Sequence, residues 1–128
     1  HTRFGFKSRG LGDVYKRQAL AGLRGGLLIY PYCGTGSLAS WSGWTVEIPV
    51  QMFLADGDII ADEEDCIAVA TKMASEGRDI SYEVLPGVTH GFDQQEKSPL
   101  SLLVYDPDTT RRVVRDGIAF LNEVAPPR

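Results

Sequence analysis

Pro49-Val50-Gln51-Met52-Phe53-Leu54 is a short, mostly apolar run that feeds directly into Ala55-Asp56-Gly57-Asp58, a turn carrying two acids. An apolar run of this length without polar alternation fits a strand buried on both faces of a parallel sheet. Asp62 after the turn is placed to cap a helix, with Glu63, Glu64 and Asp65 in its positive first turn. Cys66, Val69, Ala70 and Met73 then recur at helical spacing as one apolar stripe, and Gly77 supplies a left-handed stop.

Reading outward in both directions repeats the pattern. Downstream, Ile80-Ser81-Tyr82-Glu83-Val84-Leu85 reads as a strand with partial alternation, as expected near a sheet edge. Pro86-Gly87 turns the chain into Val88-Thr89-His90-Gly91-Phe92. Upstream, Leu27-Leu28-Ile29-Tyr30 is a strand ended by Pro31, and Ala19 to Leu23 reads as the end of a helix. A last helix starting at Asp108 carries Val113, Val114, Gly117, Ile118, Leu121 and Val124, a stripe suited to a core. Strands joined by helices imply right-handed crossovers and a parallel α/β sheet. In such sheets the reactive groups sit at the carboxyl ends of the strands. Asp58 and His90 both follow strands, so the topology brings them to one rim.

An acid after one strand and a histidine after the next supply two of the three members of a charge-assisted nucleophilic triad. Imidazole takes and releases a proton near neutral pH, and an adjacent carboxylate orients it. The rival acids are Asp56, one glycine away, and Asp62, which is better explained as the helix cap. The plain structural alternatives are a loop histidine with a packing role and an acidic turn that binds a cation or accepts a phosphoryl group in a non-catalytic, receiver-like α/β module.

Phe53-Leu54-Ala55-Asp56-Gly57-Asp58-Ile59-Ile60 resembles the strand-to-acid segment of dienelactone hydrolases. Tyr82 to Phe92 resembles their histidine segment, and Leu28-Ile29-Tyr30-Pro31-Tyr32-Cys33 the strand after their nucleophile helix. The resemblance implies the C-terminal part of an α/β-hydrolase fold, about three parallel strands with flanking helices. It implies hydrolysis of carboxylic esters or lactones, with catalytic Asp58 and His90, a small-molecule substrate, and neither cofactor nor metal. Asp58 is preferred to Asp56 because it fits the family spacing. The family's nucleophile, a Cys or Ser in a Gly-x-Cys/Ser-x-Gly elbow, is expected before residue 19 and does not occur in this chain. Cys33 lacks the small residues two before and two after that a strained elbow needs. It is read as structural or substrate-lining, and Cys66 as core. Trp41 and Trp44, in the Gly- and Ser-rich stretch from 33 to 44, fit either an acyl pocket or ordinary packing.

Residues 1–18 are set apart from 19–128. Asp13-Val14-Tyr15-Lys16-Arg17-Gln18 resembles a translated sequencing adapter, and the stretch before it is basic and aperiodic. Setting the eighteen residues aside removes five of 13 cations (Arg3, Lys7, Arg9, Lys16, Arg17) and one of 17 acids (Asp13). The net charge then deepens from −4 to −8. So acidic a remainder argues against a nucleic-acid partner, since phosphate binding needs clustered cations. No apolar run approaches the roughly 20 residues that span a bilayer. Two cysteines with no metal or CxxC spacing leave the compartment open, and the oligomeric state is equally unassigned.

Overall fold

A computed structural model describes residues 22–37 and 47–127. The expectations for residues 1–18, most of the Ala19–Leu23 helix end, and Trp41 and Trp44 fall outside the described residues. Three strands, β1 (Gly26–Ile29), β2 (Val50–Ala55) and β3 (Ile80–Leu85), form one parallel sheet in the order β1-β2-β3. Helix α1 (Glu63–Ser75) connects β2 to β3, and α2 (Pro107–Val124) closes the chain.

β2 is central, and its alternation builds two cores. Val50, Met52 and Leu54 face α1 and pack with Leu28, Cys66, Val69, Ala70 and Met73. Phe53 and Ala55 point to the opposite face with Leu85, Val88, Phe92 and Val113. Successive side chains of a strand alternate between faces, so a strand covered on both sides must be apolar throughout. Each large side chain sealed in this way contributes about 1.5–3 kcal/mol. The β2–β3 register runs level from Val50 opposite Ile80 to Ala55 opposite Leu85, so both strands finish at the same height. Among the described residues β3 pairs only with β2, in line with its partial alternation.

Helix α1 begins as its sequence indicates. The Asp62 carboxylate accepts from the Glu64 N–H at 3.0 Å, and three acids occupy the first turn. Gly77 terminates it at φ +85°, a conformation that costs glycine nothing. Helix α2 departs from expectation at its start. Asp106, not Asp108, is the cap: it accepts from Thr109 N–H at 2.9 Å, and Pro107 fills the first helical position, where its missing N–H costs no bond.

The α2 stripe is also less buried than its periodicity indicates. Val113 and Gly117 are buried, with Gly117 close against Leu27, whereas Val114, Ile118 and Leu121 are exposed. The helix carries an apolar face broader than the sheet beneath it: among the described residues three strands, one of them only four residues long, offer too little surface to cover it. On its far side β1 pairs with nothing among the described residues.

Cys33 and Cys66 are joined in a disulfide, which the sequence reading of two unrelated cysteines did not anticipate. It ties the segment leaving β1 to the first turns of α1, with the Cα atoms 5.0 Å apart. The Cys66 sulfur also lies 3.2 Å from the Pro31 carbonyl, a contact and not a hydrogen bond, since a disulfide sulfur carries no proton. The bridge spans a sequence separation of 33 residues. Closing a loop of that size in the unfolded chain is worth about 3–4 kcal/mol on the chain-entropy account. The Cys33→Ser/Cys66→Ser variant is therefore expected to lose a substantial part of that stability. Denaturant midpoints of the oxidised chain and the double variant measure it, and equal midpoints would show that the bridge does not constrain the unfolded state.

Candidate active site

The two loops leaving β2 and β3 carry the site. After Ala55 the chain turns through Asp56 and Gly57, the latter at φ +74°. A side chain is strained in that conformation, and glycine is not. The Glu63 carboxylate accepts from the Gly57 N–H at 3.0 Å and pins the turn to the start of α1. The turn directs Asp56 outward and Asp58 inward: Asp56 is exposed, while the Asp58 side chain is 1% accessible.

Burying a carboxylate is costly unless its oxygens are bonded. Asp58 Oδ1 accepts from the Ile60 and Ala61 backbone N–H groups, each at 2.8 Å. Asp58 Oδ2 lies 2.8 Å from His90 Nδ1. A carboxylate only accepts, so Nδ1 bears the proton in the neutral ring and Nε2 is left as the basic nitrogen. The His90 side chain is 22% accessible, so the acid is sealed and the imidazole can still be approached. Of the candidate acids, Asp58 is the one within bonding reach of His90.

His90 sits five residues beyond the end of β3, and its loop is fastened on both sides. Thr89 Oγ1 accepts from the Val104 N–H at 2.8 Å. The Phe92 carbonyl accepts from the Asp106 N–H at 2.8 Å, just before α2. Phe92 itself is fully buried, and Gly91 takes the positive φ that lets the chain turn between histidine and phenylalanine.

Tyr30, which sequence reasoning treated only as the last residue of a strand, completes the surroundings. Its ring lies 4.2 Å from the His90 ring, centre to centre and tilted by 50°, and meets Phe92 edge-on at 5.4 Å. Its hydroxyl donates to Asp93. No signal in the sequence separates this tyrosine from an ordinary strand-end aromatic. Cys33 is held in the disulfide, so it presents no thiolate in this structure. No group of three or more His, Cys, Asp or Glu suited to a metal occurs among the described residues.

Burial, and next the hydrogen bond to Asp93, push the Tyr30 hydroxyl well above the ordinary tyrosine range. An unfolded tyrosine releases its proton near pH 10, whereas the native chain retains it. The stability Tyr30 contributes is therefore fully present below about pH 10 and is lost as pH rises towards the higher native value. Tyr30→Phe should flatten the fall in stability above that point. Urea midpoints measured across the alkaline range for both proteins test this, and identical slopes would refute it.

The sequence profile of the dienelactone hydrolase family matches residues 27–125, a span that takes in the three strands save Gly26, both helices and both loops of the site. "Protein usf" from Aquifex pyrophilus is 26% identical over 93 residues, which cover 73% of this chain and 38% of that protein. A protein named "Putative carboxymethylenebutenolidase" from Aquifex aeolicus is 27% identical over 77 residues, covering 60% of this chain and 32% of the relative. The chain thus spans well under half the length of the curated relatives it matches. No solved structure matches it at comparable stringency. With the profile extending over most of the chain and the α/β sheet it describes in place, the chain belongs to the dienelactone hydrolase family.

Proposed function

We propose that this chain supplies the acid and the base of a nucleophile–His–Asp triad that hydrolyses carboxylic esters or lactones. The observation that carries the reading is the 2.8 Å contact of His90 Nδ1 with a sealed Asp58 carboxylate at the carboxyl ends of neighbouring parallel strands. In this scheme residues 19–128 are the C-terminal part of a longer α/β-hydrolase domain, and the nucleophile comes from an upstream segment. Its strand would pair with the open side of β1, and the exposed stripe of Val114, Ile118 and Leu121 is surface that a fuller domain has use for.

The chemistry follows from the ring's tautomer. His90 Nε2 takes the hydroxyl or thiol proton as the nucleophile attacks the carbonyl carbon. The tetrahedral intermediate collapses with cleavage of the carbonyl–oxygen bond, and the departing oxygen receives that proton from Nε2. In a lactone the departing oxygen stays attached to the acyl group. Water then gives a proton to Nε2 and attacks the acyl carbon. The carboxylic acid leaves, and the proton returns to the nucleophile. Asp58 stabilises the imidazolium formed twice in the cycle and holds Nδ1 so that Nε2 stays the base. Donors for the carbonyl oxygen are assigned to the upstream segment as well.

The receiver-like alternative would place a cation or a phosphoryl group on Asp56 and Asp58. Against it, both Asp58 oxygens are engaged, one by two backbone N–H groups and the other by His90.

The assay uses an activated short-chain ester. The 128-residue chain alone is expected to give no turnover, since it brings a base and an acid without a nucleophile. A longer chain that adds an upstream Gly-x-Cys/Ser-x-Gly turn is expected to be active, and His90→Ala should lower its rate by about 10²–10⁴-fold. Undiminished turnover in that variant would remove the triad. Turnover by the short chain that disappears with both His90→Ala and Cys33→Ala would instead make Cys33 the nucleophile.

A further inference from the structure

Tyr30 adopts φ +39°, and it is the one non-glycine residue with positive φ among the described residues. An L-residue is crowded there because its Cβ approaches the carbonyl oxygen. It also precedes Pro31, and a residue before proline is ordinarily extended. Strain of this kind persists only where the surroundings impose it, and it gathers at functional sites. Here the surroundings can be named. The Tyr30 N–H donates to the Phe53 carbonyl at 2.7 Å, so the backbone is still pinned to the sheet. The hydroxyl is held by Asp93, and the ring meets His90 on one side and Phe92 on another.

We propose that Tyr30 is a positioning residue for His90: its ring, tethered through the hydroxyl to Asp93, walls one face of the imidazole and keeps Nε2 aimed for proton transfer. The inference rests on the acid–base reading of His90 given above. The bond to Cβ and the hydrogen bond at Nδ1 hold one edge of the imidazole, and Nε2, on the opposite edge, can still swing as χ1 and χ2 shift together. A further constraint must bear on the ring itself, and an aromatic ring with its centre 4.2 Å away provides one. The tether is placed to suit. Asp93 stands three residues after His90 in the same turn, so the hydrogen bond links the end of β1 to the segment that carries the base. The left-handed backbone at Tyr30 is what brings the end of β1 over the imidazole instead of continuing the strand.

The test is the tautomer of His90, read from imidazole nitrogen and carbon-bound proton resonances of the ¹⁵N-labelled 128-residue chain. His90→Gln identifies the signals, because His1 is the only other histidine. The unmodified chain is expected to be mainly the Nδ1–H form. Tyr30→Leu should raise the Nε2–H fraction about threefold to tenfold, the range that loss of one aromatic pair contact supports. Tyr30→Phe, which keeps the ring and loses the tether, should give a smaller rise. Asp93→Ala should match Tyr30→Phe, and combining the two should add nothing further. Amide spectra establish that each variant is folded; should Tyr30→Leu unfold, the Phe and Ala variants decide the matter. Asp58→Asn separates the two claims. If it shifts the ratio and the folded Tyr30 and Asp93 variants do not, the positioning role is wrong and the acid–base pair stands. If the unmodified chain already matches Asp58→Asn, the pair itself is wrong, and the role of Tyr30 goes with it.

Discussion

Everything at the site depends on the level register of β2 against β3. Six residues of each strand pair one to one, from Val50 and Ile80 to Ala55 and Leu85. Both chains therefore leave the sheet at the same height and on the same rim. Slipping the pairing by a single position would exchange the two faces of a strand. β2 has different partners on each face, helix α1 on one and the Phe92 cluster on the other, so such a slip would misplace both cores. The register that satisfies packing is also the register that brings an acid from one loop to a histidine from the next.

Within that frame the loops are specified by polar bonding. A sealed carboxylate must find donors, and Asp58 finds two on its own loop and one on His90. The same group thus folds the turn between β2 and α1 and joins it to the turn after β3. The histidine loop is secured from the other direction, through Thr89 to Val104 and through Phe92 to the start of α2. Neither loop is fixed by one contact alone.

The parts of this arrangement that follow local rules were readable from the chain. Apolar runs bounded by Pro and Gly marked the three strands, and Asp62 with three following acids marked α1. Parallel topology then put Asp58 and His90 on one rim. What escaped reading depends on partners distant in sequence. A sequence separation of 33 between two cysteines carries no geometry, so the disulfide could not be inferred. The periodicity of α2 gives the direction of an apolar face but not the extent of the surface it meets, and Val114, Ile118 and Leu121 were over-assigned to the core for that reason. The start of α2 is the one local exception: Pro107 at the first helical position marks Asp106, not Asp108, as the cap. Tyrosine gives no sign of a left-handed backbone, so the turn of Tyr30 over His90 had no sequence signature.

The disulfide has a topological side. The covalent ring closed by Cys33 and Cys66 contains β2 and the Asp58 loop, whereas β3, His90 and α2 lie outside it. Partial opening of a domain proceeds in cooperative segments, and the downstream half can peel away while the ring stays closed. The acid and the base therefore belong to different sides of a covalent boundary. Opening of the downstream half would separate them without displacing the Asp58 turn, and re-docking would return His90 to a carboxylate still held in place.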